Sequence, residues 1–182
     1  LKGSFLYDFY SVWTGSDGSV FAAGTSAIVH DTDSGYELFP GSLGAWSIWG
    51  SSGTDVFAAT GNQILHYDGL TWSAIHNGPD YFTTCRAVWG SSSTDVFTGG
   101  DGSITHYDGA SWSATVLGKE SVTTQGDEDN LTKRIWSIWG SSGTDVFAVG
   151  DKVGEYTAND RGLILIPFLF NPMISFTRST VT

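Results

Sequence analysis

Residues 45–73 read AWSIWGSSGTDVFAATGNQILHYDGLTWS, and residues 86–113 read RAVWGSSSTDVFTGGDGSITHYDGASWS. Nearly every apolar and turn position of the first stretch recurs in the second, so one unit is used twice. A third copy opens at residue 135 as IWSIWGSSGTDVFAVGD, and a diverged one runs from Ser11 as SVWTGSDGSVFAAGTSAIVHDTDSGYEL. Trp13, Trp49, Trp89 and Trp139 anchor the four units at spacings of 36, 40 and 50 residues, the last interval holding an insertion.

Within a unit the apolar segments are short. Ala87–Trp89, Val96–Phe97, Ile104–Tyr107 and Ser111–Ala114 predict four strands. The string GSSSTD at 90–95 suits a loop, GGDG at 99–102 a tight turn, and DG at 68–69 and 108–109 a hairpin. Each unit therefore predicts an antiparallel four-stranded meander. Adjacent pairs such as Val56–Phe57 and Ile64–Leu65 place apolar side chains on both sheet faces, so both faces must be covered. Small sheets of about 40 residues that stack face to face are the blades of an all-β β-propeller. A β-solenoid is second choice, because the Asp-Gly hairpins argue for antiparallel pairing. The repeats occupy residues 1–152, with units opening near 11, 45, 86 and 135; residues 153–182 depart from the template. Four units suit either a minimal ring or an arc of a larger one.

Composition agrees. Eight Trp, seven Tyr, eleven Phe and 24 Gly in 182 residues favour a fold of tight turns around large side chains over a helical bundle. A formal charge of −11 offers no field for a phosphate backbone or an anionic bilayer, so nucleic-acid binding is not expected. No segment supplies the roughly 20 apolar residues of a membrane-spanning helix. The single Cys85 can form neither an internal disulfide nor a Cys-based zinc site, and reads as a small buried apolar group. The chain opens on Leu1 rather than Met, which reads as a processed form or a fragment from which a leader would already be missing.

The string WGSSxTDVFAxG followed by IxHYDGxxW resembles the repeats of bacterial secreted or surface-attached propeller proteins. Its DGxxW turn is similar to the Asp-box (BNR) turn, one residue shorter. The resemblance covers residues 11–151 and implies an extracellular or cell-surface setting. The superfamily includes sialidases, assembly factors and lectins, so the fold does not by itself fix the function.

Candidate chemistry is sparse. His30, His66 and His106 hold one place in successive units; on an outer strand they would be spread around a ring, too far apart to share a zinc ion, and each is expected to bond an Asp or the backbone of its own blade. His76 falls outside the pattern and reads as a loop residue. Asp55, Asp95 and Asp145 recur before ValPhe and read as turn-stabilising, as do Asp68 and Asp108. A sialidase would focus several arginines on one carboxylate, and Arg86, Arg134, Arg161 and Arg178 occupy no matching repeat positions. No GxSxG, HExxH, P-loop or dinucleotide fingerprint occurs. In the insertion, Asp127, Glu128 and Asp129 offer oxygen ligands for calcium but lack the alternation of an EF-hand loop, so a solvated surface loop is the stronger reading and no cofactor is expected. Asn130–Thr132 forms a glycosylation sequon. The run LILIPFLF at 163–170 is too short and Pro-interrupted to span a bilayer, which leaves a closing strand or an assembly segment within 153–182.

The repeated tryptophans are the positive lead. Trp49, Trp89 and Trp139, with Trp72 and Trp112 on the last strands, have the flat faces to stack on a sugar or anchor a protein; core packing is the stronger reading for all five, and Trp72 and Trp112 are the better candidates if any are exposed. The expectation is a non-catalytic interaction platform for protein or glycan. The alternatives are a glycoside-active propeller enzyme, which needs a pocket with two carboxylates or an arginine cluster, and a structural subunit of a larger ring or filament.

Overall fold

The computed structural model describes residues 8–32, 34–40, 44–77, 84–117 and 132–153. Among these residues every regular element is a strand. Blade 1 comprises β1 (Phe9–Thr14), β2 (Val20–Gly24), β3 (Ala27–Thr32) and β4 (Gly35–Pro40). Blade 2 comprises β5 (Ser47–Ser52), β6 (Asp55–Ala59), β7 (Gln63–Tyr67) and β8 (Trp72–Asn77). Blade 3 comprises β9 (Ala87–Ser92), β10 (Asp95–Gly99), β11 (Ser103–Tyr107) and β12 (Trp112–Val116). Blade 4 contributes β13 (Thr132–Ser142) and β14 (Asp145–Val153). The first three are four-stranded antiparallel meanders, and β13–β14 repeats the inner half of the same sheet. The fold is a β-propeller. Asp127, Glu128, Asp129, the sequon and the apolar run at 163–170 lie outside the described residues.

The turns follow from local chemistry. Gly69 and Gly109 take φ of 92° and 89°, which only glycine adopts without strain. The Asp68 carboxylate accepts from the backbone N–H of Leu70 and Thr71 at 2.9 and 2.8 Å, and Asp108 does the same for Ala110 and Ser111. The Tyr67 and Tyr107 hydroxyls donate to the carbonyls of Gly69 and Gly109. TyrAspGly is therefore one hydrogen-bonded turn. The Asp itself stays at negative φ, so the turn is closed by its side chain rather than by a left-handed pair.

Packing between blades uses the strand alternation. Val56 and Ile48 join Phe21, Ala23 and Ile28 of blade 1 in one cluster, whereas Phe57, Ala59 and Ile64 join Cys85, Val88 and Val96 of blade 3 in the next. Phe97, Ile104, Ile135, Ile138 and Val146 make the third. The core is thus a series of slices between sheets, and the Val56–Phe57 and Val96–Phe97 pairs each supply two of them. Burying a Phe or Ile side chain in such a slice contributes roughly 1.5–3 kcal/mol.

Glycine sets how closely the inner strands approach. The six-membered ring of Trp13 lies against Gly50, that of Trp49 against Gly90 and that of Trp89 against Gly140; a Cβ there would fall 2.7 to 3.0 Å from ring carbons. Hydroxyls stitch the same strands together: Ser11 Oγ accepts from the Ile48 N–H at 3.2 Å, and Ser47 Oγ from the Val88 N–H at 3.2 Å.

One expectation needs correction. His76 lies within β8, opposite Ile64, rather than in a loop. Trp72 and Trp112 are only half-buried, and they pack against the clusters between blades 1 and 2 and between blades 2 and 3. Their position opposite Tyr67 and Tyr107 turns each ring toward the preceding blade.

Candidate functional site

The recurring histidines each belong to their own blade. His66 Nε2 meets Asp55 Oδ1 at 2.7 Å, and His106 Nε2 meets Asp95 Oδ1 at 2.6 Å. The other carboxylate oxygen accepts from Ser51 in blade 2 and from Ser91 in blade 3. These groups are the Ser, His and Asp of a hydrolase, but in the wrong order. The serine hydroxyl donates to the carboxylate, so the contact that makes a nucleophile, serine to imidazole, is missing from this arrangement. The network ties the loop between first and second strands to the third strand. Asp55 and Asp95 open their strands and bridge across the blade, a longer reach than the local turn predicted for them. In blade 1 Ser19 replaces the aspartate, and His30 Nδ1 stands 3.8 Å from Glu37. Among the described residues no three His, Cys, Asp or Glu side chains gather to hold a metal ion.

A different set of equivalent residues does converge. Tyr10, Trp46, Arg86 and Trp136 each stand three residues before the inner-strand tryptophan, the first three at the starts of β1, β5 and β9 and Trp136 within the longer β13. Tyr10 and Trp46 stack with centroids 5.1 Å apart and planes 9° from parallel. The Arg86 guanidinium lies 5.5 Å from the Trp46 ring and 5.0 Å from the Trp136 ring, and Arg134 lies 5.0 Å from Trp136 on its own blade. The result is a continuous ladder across four blades, Tyr–Trp–Arg–Trp–Arg. Each cation–π contact at such a half-exposed place is worth about 0.5–1 kcal/mol.

Asp101, in the turn between β10 and β11, fixes the arginines. Its Oδ1 accepts from Arg134 Nε at 2.9 Å and from Arg86 Nε at 3.3 Å, while Oδ2 accepts from an Arg86 terminal nitrogen at 3.4 Å. Burial pushes the Asp101 pKa up, but hydrogen bonds from Arg86, Thr84 and Arg134 outweigh it and hold the carboxyl below the ordinary value of 3.8. Two guanidinium groups against one carboxylate leave one positive charge on a chain of net −11.

The ladder stays open to solvent. Tyr10 is 48% exposed, Trp46 42% and Trp136 46%. Beside Tyr10 and Trp46 lies a cleft of about 450 Å³, with Thr25 and Asn62 exposed at its wall and Thr60, Gly61 and Thr84 completing it. The turns between second and third strands build this wall, since Gly61 pairs with Cys85 through backbone bonds of 2.9 and 2.6 Å. A second, smaller groove of about 280 Å³ runs between blades 2 and 3 and is lined by Asp55, His66, Ile75, Tyr107 and Trp112 among others. Trp112 therefore borders a groove, but as a packed ring, whereas Trp46 and Trp136 of the ladder are openly presented.

Sequence reasoning missed this ladder by treating recurrence as dispersal. That holds for third strands and fails for the first, which lie side by side around the axis. The signal was present: Tyr10, Trp46, Arg86 and Trp136 share one repeat position and one chemistry, flat and able to stack.

No protein-family model and no curated protein matches the chain. Solved structures do. The extracellular domain of a B. thetaiotaomicron protein described as a hybrid two-component system aligns over 78% of this chain and 20% of its own length, at TM-score 0.58 and 15% identity. A second structure of that domain, described as a one-component system, aligns over 77% of this chain and 20% of its own length, at 0.57 and 13%. YCF48 from Cyanidioschyzon merolae aligns over 82% of this chain and 50% of its own, at 0.55 and 13%. The chain thus spans between a fifth and a half of the structures it resembles, and what it shares with them is the propeller fold.

Proposed function

We propose that the protein is a non-catalytic interaction module, acting outside the cell or at its surface, that binds a glycan on the face formed by Tyr10, Trp46, Arg86 and Trp136. The observation that carries this reading is the half-exposed aromatic ladder beside a cleft with hydroxyl and amide groups at its wall. A pyranose ring offers an apolar C–H face and a rim of hydroxyls, and stacking plus a few placed polar groups is the combination that holds it. The extracellular domains among the structural neighbours support the setting. The reversed Ser–Asp–His order and the double arginine contact of Asp101 favour binding over catalysis, because neither leaves an activated nucleophile or a raised-pKa acid.

The residue types favour a protein partner as second reading, since Trp, Tyr and Arg are the usual anchors of protein interfaces. A glycan array probed with the folded chain separates the two. Binding that falls at least tenfold in Trp46→Ala and Trp136→Ala, and is retained in Trp112→Ala, supports the glycan face. An array blank for folded protein leaves the protein reading, and glycan binding indifferent to both ladder tryptophans refutes the proposed face.

A further inference from the structure

The three internal interfaces show what an inner-strand tryptophan requires. Trp13, Trp49 and Trp89 are each half-buried against a glycine of the following blade. Trp139 holds the same position in blade 4 and is 62% exposed. Phe147 beside it is half-buried, whereas its equivalents Phe21, Phe57 and Phe97 are fully buried. At the other end of the arc Val12 is 64% exposed, whereas its equivalents Ile48, Val88 and Ile138 are 4 to 6% exposed. Among the described residues, then, blade 4 presents an uncovered forward face and blade 1 an uncovered rear face, and the two do not meet.

They are also mismatched. At the place of Gly50, Gly90 and Gly140, blade 1 carries Thr14. At the internal interfaces even a single Cβ there would stand 2.7 to 3.0 Å from the indole, so a threonine obstructs the seat that Trp139 needs. A second copy of this chain cannot offer a better seat, because its own Gly50, Gly90 and Gly140 are already buried in its interior.

We propose that the Trp139–Phe147 face of blade 4 is a docking surface for a further repeat of the same kind, one with glycine directly after its inner-strand tryptophan, and that Thr14 prevents the chain's own first blade from taking that place. This goes beyond the glycan reading and does not depend on it: the ladder is formed by Tyr10, Trp46, Arg86 and Trp136, whereas this surface is the flat of the last sheet around Trp139 and Phe147.

The test uses the intact chain, hydroxyl-radical footprinting read at each tryptophan, and sedimentation. Wild type is expected to be monomeric with Trp139 oxidised several-fold faster than Trp89. Thr14→Gly is expected to protect Trp139, by closing the arc or by joining chains end to end, and Thr14→Gly with Trp139→Ala to lose any association. Protection of Trp139 in wild type overturns the proposal, whether a second copy or residues 154–182 provide the cover. An unchanged Trp139 in folded Thr14→Gly overturns it as well. If that variant does not fold, the urea midpoints decide: Trp89→Ala is expected to shift the midpoint downward and Trp139→Ala to leave it in place, and equal shifts overturn the assignment.

Discussion

Gly90→Ala tests the close approach of blades directly. A methyl at Gly90 falls 2.7 Å from two ring carbons of Trp49 and 2.9 Å from the carbonyl oxygen of Asp95. Ordinary carbon contacts are about 3.5–4.0 Å, so the overlap is about 1 Å. Overpacking of this size costs about 1–3 kcal/mol. Against it stands the gain of about 0.4–1 kcal/mol from restricting the unfolded chain, available because Gly90 is not at positive φ. The expected net loss is about 1–2 kcal/mol, read by equilibrium urea unfolding followed by tryptophan fluorescence. Trp49→Ala alone removes the ring's packing on Phe57 and the cluster between blades 2 and 3, at about 3–5 kcal/mol. In the double variant the obstruction is gone, so the two losses should fall short of additive by about 1–2 kcal/mol. If Gly90→Ala costs as much without Trp49 as with it, the indole is not what demands glycine, and the Asp95 carbonyl is. A neutral or stabilising Gly90→Ala refutes the close-approach argument altogether.

Cys85 is buried, and burial pushes its thiol up from 9.0 to about 11. The folded protein should therefore resist thiol reagents near pH ~8 and react once unfolded in urea; between about pH 9 and 11 the unfolded chain ionises first, so stability falls as pH rises. Asp101 titrates below its ordinary value, so its contribution is fully present above about pH 3.8 and is lost as the pH falls through its folded value. Asp101→Asn should flatten the acid limb of thermal midpoints measured from about pH 5 down to about pH 2, and a limb unchanged across that window would count against a net contribution from the arginine contacts. Asp68→Ala removes the acceptor of two turn N–H groups and should lower the urea midpoint, while Leu70→Ala, at the exposed tip of the same turn, should leave it nearly in place.

The repeats determined the blades because the information is local. Asp-Gly with a preceding Tyr closes a turn with its own side chains, and ValPhe divides between two faces by the geometry of a strand, so neither needs knowledge of the neighbour. The confinement of each histidine to its own blade followed for the same reason, whereas the bond of His66 to Asp55, in place of a local turn at Asp55, emerged only from the structure. Sequence also showed that Trp13, Trp49, Trp89 and Trp139 are equivalent. Only the tertiary arrangement decided that the first three are covered while the fourth is open, because coverage depends on the adjoining sheet. It likewise decided that Trp46 and Trp136 face solvent while Trp72 and Trp112 pack inward. Period and residue type give position along the chain, whereas distance from the propeller axis sets whether equivalent residues meet, and inner strands run close enough for Tyr10, Trp46, Arg86 and Trp136 to stack.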